Sequence, residues 1–61
     1  MPFVQITLFE RPVEITRKLL ELVTEAVCNA TGVPKERVHV VINDLPKENL
    51  MTGGKFGLDL K

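Results

Sequence analysis

The feature that most constrains this chain is one long amphipathic segment flanked by two short segments in which apolar residues alternate. In residues 3–9, FVQITLF, the two alternating sets are Val4, Ile6 and Leu8 against Phe3, Gln5 and Thr7. Residues 38–43, VHVVIN, alternate in the same way. A period of two among strand-forming residues is typical of β-strands, so both segments are predicted to be strands.

Between them, the spacing of apolar residues predicts a helix over residues 13–31. The predicted apolar stripe consists of Ile15, Leu19, Leu22, Val23, Ala26, Val27 and Ala30. The opposite, charged face consists of Glu14, Arg17, Lys18, Glu21 and Glu25. Pro12 suits the first helical turn, where its missing N–H is no loss, and Gly32 suits the position just beyond the end, with Pro34 preventing continuation.

A strand, a helix and a strand with short connections predict a right-handed βαβ unit with parallel strands. The fold class is therefore α/β (α+β). In the tail KENLMTGGKFGLDL, residues 47–60, Gly53 and Gly54 mark a turn between short extended segments, which predicts a terminal hairpin or arm. We interpret residues 1–61 as a single domain.

A chain of 61 residues is too short to bury a large core, since domains near this size bury only about 60% of their unfolded surface. Cys28 is the single cysteine, so no intrachain disulfide can form, and it is interpreted as a small packing residue. One helix covers one face of a two-stranded sheet, which leaves Phe3, Val41 and Phe9 on an apolar free face. We expect that face and the arm to contact other copies of the chain.

Eight basic residues balance eight acidic ones, which argues against a nucleic-acid partner, because such binders depend on neutralising phosphates. The chain has no signal-peptide pattern and no apolar run near the roughly 20 residues of a membrane span. The expected location is the cytoplasm, without a membrane partner.

Pro2 has two interpretations. It suits the first position of a strand, because it lacks an N–H and its φ is fixed. If Met1 is removed, however, Pro2 carries a secondary amine that can act as a base. A retained Met1 would make the same nitrogen a tertiary amide without basicity.

Several motifs in order resemble the 4-oxalocrotonate tautomerase family: Met-Pro before a strand, Arg11 at the helix entrance, ATGVP, VHVVI and LPKENLMTGG. The resemblance covers residues 2 to about 58. It implies a βαβ protomer whose strands pair into a dimer with a four-stranded sheet, and three dimers that form a homohexamer.

The resemblance also implies an activity, keto–enol tautomerisation of a small unsaturated 2-oxo acid. In the family, the amino-terminal proline moves a proton between the 2-hydroxyl oxygen and carbon 5 of 2-hydroxymuconate, without cofactor or metal. Pro2 matches that base, and Arg11 matches an arginine that binds a substrate carboxylate. His39 stands where many relatives carry a second arginine offered from a neighbouring subunit, and Leu50 stands where an aromatic wall is usual.

The departures from the family pattern leave alternatives open. The chain has one residue fewer ahead of Arg11 than the family pattern normally has. Arg11 could instead form an ion pair with Glu10 or Glu14. His39 could instead be a packing or interface residue. Arg37 could replace the missing second arginine if the second strand reaches that far.

Two other functions also remain open at this point. Dehalogenases and decarboxylases share the fold and the proline, although Thr52 fills the position where some hydratase-type relatives carry an activating acid. The other alternative is a weak or non-catalytic oligomer. The physiological enol or keto acid is not specified by the sequence.

Overall fold

Two parallel strands form the sheet of this protein, as the alternating segments predict. In a computed structural model, which describes residues 2–60, β1 is Phe3–Phe9 and β2 is His39–Leu45, paired in parallel. The register runs from Phe3 opposite His39 to Phe9 opposite Leu45. The predicted fold class and strand direction are confirmed.

The second strand starts one residue later and ends two residues later than the prediction of residues 38–43. A short 3₁₀ turn, Lys35–Arg37, precedes it, and the Val38 N–H donates to the Lys35 carbonyl at 3.1 Å, so Val38 closes this turn. At the other end, pairing with the full length of β1 extends β2 to Leu45. Arg37 therefore lies in the turn, and the idea that strand alternation aligns it with His39 is wrong.

The helix α1 is Val13–Thr31, with the predicted bounds. The Pro12 carbonyl accepts hydrogen bonds from the N–H groups of Ile15 (3.0 Å) and Thr16 (3.1 Å) at its start. Gly32 ends it in the left-handed region at φ 76°, and its N–H donates to the Cys28 carbonyl at 2.9 Å. A residue without Cβ takes this conformation at little cost, which explains a glycine here.

The apolar stripe of α1 is only partly covered. The half-buried helix residues are Thr16, Leu19, Leu20, Val23, Thr24, Val27 and Cys28. Ile15 and Leu22, which belong to the predicted stripe, are 53% and 54% exposed, and Ala26 and Ala30 are exposed as well. The reason is the width of the sheet, because two strands about 5 Å apart support a narrower strip than the apolar face of a helix.

After β2, the chain forms a short arm. A 3₁₀ turn at Lys47–Asn49 leads into β3, Met51–Thr52, which pairs antiparallel with β4, Lys55–Phe56. Gly53 and Gly54 form the turn with φ 57° and 80°, which confirms the predicted hairpin. Another 3₁₀ turn, Gly57–Asp59, follows.

A single copy has no apolar core in the described part of the chain. Among residues 2–60, Gly57 is the only buried residue, and no hydrophobic side chain is buried. The Cα radius of gyration is 14.3 Å, whereas a compact domain of this length would have about 10.5 Å. A single copy therefore leaves exposed the apolar surface that stabilises domains of ordinary size.

Charged side chains of residues 2–60 lie mostly at the surface of the chain. Within residues 2–60, the ion pair found joins Arg17 and Glu21 at 3.5 Å, one helical turn apart and exposed. No three His, Cys, Asp or Glu side chains of this range form a cluster suited to a metal ion. None of its helices combines the length and apolar character that a membrane span requires.

Candidate functional site

Pro2 and His39 lie together at the amino end of the sheet. The His39 N–H donates to the Pro2 carbonyl at 3.1 Å, immediately before the first register pair, Phe3 with His39. Pro2 is half-buried and His39 is exposed. The strand pairing thus fixes the backbone of the predicted base next to that of the predicted polar contact.

An aromatic pair lies beside Pro2 on the sheet face that α1 leaves open. The rings of Phe3 and His39 have centroids 6.1 Å apart with an interplanar angle of 31°. Phe3 is 54% exposed, and Val41, two residues after His39 on the same face, is 39% exposed. The open face after Pro2 therefore carries Phe3, His39 and Val41, with the polar Gln5 opposite Val41.

Arg11 and Leu50 lie at the opposite, carboxyl end of the sheet. They line one open cavity of about 310 Å³ together with Thr7, Leu8, Phe9 and Leu45. Leu50 is half-buried, whereas Arg11 is exposed and forms no ion pair with any residue in the 2–60 range, so the proposed pairing with Glu10 or Glu14 is not observed. Arg11 offers a free guanidinium at the edge of an apolar cavity, and a guanidinium suits a carboxylate ligand.

The four predicted site residues therefore form two separate pairs. The seven residues of β1 carry the chain about 20 Å from the Pro2 end to the Arg11 end. The chain does not bring Pro2 and Arg11 together within one copy. A site that contains all four residues requires a second copy of the protein.

Thr7 is a polar residue of the Arg11 cavity that sequence reasoning did not select. It lies on the open face of β1, is exposed, and lines the same cavity as Arg11. Thr7 lies two residues after Gln5, so strand alternation places both polar residues on the same face of β1, and this pattern could have identified it. The Phe9 ring also lines the cavity, and the Lys47 ammonium lies 5.7 Å from its centroid, within cation–π range.

Another cavity lies elsewhere and contains none of the four predicted residues. It measures about 590 Å³ and runs along α1 towards the Lys35 turn, past Cys28, which is half-buried. Its lining combines apolar helix surface with the charged side chains of Glu21, Glu25 and Lys35. We interpret this cavity as an uncovered part of the α1 surface rather than as a reaction site.

A family model described as "Tautomerase enzyme" matches residues 2–57. A probable tautomerase of Streptococcus pneumoniae is 48% identical over 57 residues, which cover 92% of this chain and 95% of that protein. A probable tautomerase of Streptococcus agalactiae is 50% identical over 57 residues, again 92% of this chain and 95% of the relative.

Solved structures show the same similarity. A structure from the 4-oxalocrotonate tautomerase isozymes of Methylibium petroleiphilum has a TM-score of 0.89 and 48% identity, covering 93% of this chain and 94% of that one. A chain of a heterohexameric 4-oxalocrotonate tautomerase from Chloroflexus aurantiacus has a TM-score of 0.92 and 27% identity, with both chains fully covered. The likeness thus extends over nearly the whole length on each side.

Proposed function

Because this chain belongs to the tautomerase family, we propose that it is an isomerase that interconverts the enol and keto forms of a small unsaturated 2-oxo acid. The resemblance to 4-oxalocrotonate tautomerases predicted from the sequence motifs is confirmed. The observation that carries the proposal is the extent of the family match, which begins at Pro2 itself and runs to residue 57.

In this proposal, Pro2 is the general base. It acts after removal of Met1, a residue that lies outside the described residues. The Pro2 nitrogen then takes the proton from the 2-hydroxyl of the enol, the carbon–carbon double bond shifts, and the ammonium returns a proton to carbon. One O–H bond is exchanged for one C–H bond and no electrons are gained or lost, so the reaction requires neither cofactor nor metal.

A proline amine in water is mostly protonated near neutral pH, so a base at this position needs an environment that disfavours the ammonium. Partial burial and nearby cations both act in that direction. Pro2 is half-buried, and Arg11 of another copy would add a positive charge. These features support Pro2 as a base that is free at working pH.

Assembly is part of the proposed mechanism. Each strand of the β1–β2 pair has one unpaired edge in the described range, and a two-fold axis pairs two copies of an edge strand in antiparallel fashion. Such pairing places the amino end of one sheet beside the carboxyl end of the other, so Pro2 of one copy approaches Arg11 of the next. A homo-oligomer, most simply a hexamer built as a trimer of dimers, would also cover the exposed apolar faces.

The remaining candidates have distinct roles in this arrangement. Arg11 binds a substrate carboxylate, and Leu50 supplies an apolar wall that helps to exclude water. His39 contacts the polar end of the substrate. These assignments agree with the cavity that joins Arg11 and Leu50 and with the position of His39 next to Pro2.

The proposal is tested by measuring the ketonisation of 2-hydroxymuconate and of phenylenolpyruvate with native protein and with Pro2→Ala. Intact mass confirms that Met1 is absent from both samples. We expect Pro2→Ala to lower kcat by about 10²-fold or more, as for removal of a positioned general base. Pro34→Ala, a proline change before the Lys35 turn, is the matched control and should retain activity.

Equal rates for native protein and Pro2→Ala, close to the uncatalysed background, would refute the tautomerase proposal for these enols. In that event, a Pro2-dependent dehalogenation or decarboxylation, or a non-catalytic oligomer, would become the preferred interpretation. Activity in a form that demonstrably retains Met1 would exclude the Pro2 amine as the base.

A further inference from the structure

Arg11 lies in a short, exposed connection between the sheet and the helix. The residues that join β1 to α1 are Glu10, Arg11 and Pro12. Within residues 2–60, no hydrogen bond and no ion pair holds Arg11 in place. The direction of Arg11 therefore depends on its neighbours in the connection and on the two elements that the connection joins.

Pro12 is fixed on its helix side. It takes the N-cap position of α1, with φ −57° and ψ 151°. Its carbonyl accepts hydrogen bonds from the N–H groups of Ile15 and Thr16, at 3.0 and 3.1 Å. Because the pyrrolidine ring also locks φ, the first turn of α1 anchors the residue that directly follows Arg11.

A proline also restricts the residue before it. The Cδ of the ring clashes with the N–H and Cβ of the preceding residue when that residue is helical, so extended conformations are favoured there. Arg11 is the residue restricted by Pro12. Since this restriction is covalent and local, it is the same in a single copy and in an oligomer, whatever covers the surrounding surface.

We infer that Pro12 is a positioning residue for substrate binding, because it holds the Arg11 backbone extended and so keeps the guanidinium at the cavity that Leu45 and Leu50 line. The inference rests on the proposed function, in which Arg11 binds the substrate carboxylate. Pro12 does not line this cavity. Its effect on the substrate is exerted through Arg11.

Proline is not the residue that best stabilises the start of a helix. Ser, Thr, Asp or Asn at the N-cap accepts a hydrogen bond from an N–H of the first turn, whereas Pro12 forms no side-chain cap. The chain thus forgoes the usual stabilisation at this position. The restriction on Arg11 is a property that none of the four capping residues supplies.

The size of the effect follows from the fraction of free protein in which Arg11 is directed at the cavity. Without the proline, the Arg11 backbone can also adopt the helical region, and the apparent affinity falls in proportion to the competent fraction. We expect KM to rise about two- to fivefold, as for two or more comparably populated regions. The value of kcat should stay within about 1.5-fold, because bound substrate selects the competent conformation.

The test compares Pro12→Ala and Pro12→Ser in steady-state kinetics of the enols and in urea unfolding at a fixed protein concentration. Both variants remove the ring, so both should raise KM by the same factor. Serine adds a helix cap that alanine lacks, so Pro12→Ser should have the higher urea midpoint. Equal KM values at different stabilities separate the positioning of Arg11 from the stability of α1.

Two further variants establish that the effect passes through Arg11. Arg11→Gln combined with Pro12→Ala should have the KM of Arg11→Gln alone, since coupled residues are not additive. Pro34→Ala is the matched control, because Pro34 also precedes a helical turn, with ψ 146°, and follows Val33, which does not line the Arg11 cavity. Its KM should equal that of the native protein.

An unchanged KM in either Pro12 variant would overturn this inference and leave the proposed function intact. A rise in KM that persists in the Arg11→Gln background would overturn it as well. Absence of Pro2-dependent turnover would instead refute the proposed function. Calorimetry with sorbate, an unsaturated monocarboxylate that cannot tautomerise, would then decide the inference by itself: weaker binding to Pro12→Ala than to native protein supports it, and equal or absent binding overturns it.

Discussion

Gly57 is the residue at which a single methyl group should do most damage to both fold and site. A Cβ built at Gly57 would overlap the Lys47 carbonyl oxygen and lie 2.9 Å from the carbonyl carbon. These are backbone atoms of the turn before Leu50, so they cannot move aside without shifting the arm. The Gly57 N–H also donates to the Leu50 carbonyl at 2.8 Å.

We expect Gly57→Ala to destabilise the protein by about 2–4 kcal/mol, the sum of an overpacking cost of about 1–3 kcal/mol and a weakened hydrogen bond of about 1 kcal/mol. Because the arm carries Leu50, the KM of the enol substrate should rise as well. The assay is urea unfolding at a fixed protein concentration, followed by kinetics on the folded fraction.

Gly32→Ala is the control, because a Cβ there meets nothing within 4 Å while the residue keeps φ 76°. It should cost only the conformational penalty, about 1–2 kcal/mol, and leave KM unchanged. Equal stability of Gly57→Ala and native protein would refute the close packing of Gly57 on Lys47. Equal KM would refute the link between this contact and Leu50.

Three further predictions follow from the divided site and the missing core. Arg11→Gln should raise KM about tenfold or more through loss of a charged carboxylate partner, whereas Arg17→Gln on the helix surface should not, as steady-state kinetics will show. Inactive Pro2→Ala and Arg11→Ala chains, mixed in equal amounts, unfolded and refolded together, should regain activity. If each site takes Pro2 from one copy and Arg11 from its two-fold partner, about a quarter of the sites should be active. No recovery would place both residues in one copy. The melting temperature should rise with protein concentration, because folding and association are coupled, and a concentration-independent value in calorimetry would contradict this.

The secondary structure of this chain was predictable because local signals agree with the global fold. Alternation defined β1, and Pro12 and Gly32 defined both ends of α1. The start of β2 was misplaced because Val38 looks like a strand residue in sequence, yet its N–H closes the turn at Lys35. Hydrogen-bond competition of this kind depends on the turn geometry, which alternation does not encode.

The helix flank shows a second limit of sequence reasoning. An apolar residue in a helical stripe is predicted to be buried, but the pattern does not specify what buries it. Ile15 and Leu22 follow the stripe and remain more than half exposed, because the partner sheet has only two strands. Their sequence pattern thus agrees with coverage by other copies in the proposed oligomer.

The site follows the same logic, and this explains why motifs identified its residues but not its geometry. Pro2 and Arg11 are nine positions apart, and a strand between them forces them to opposite ends of the sheet in one copy. In the proposed oligomer, the motif becomes a site because symmetry reverses the direction of a neighbouring strand. In the proposed oligomer, association would supply both the burial that a 61-residue chain lacks and the second half of its chemistry. A mutation that weakens association should therefore reduce activity and helix content together, as activity and circular dichroism over one series of protein concentrations will show.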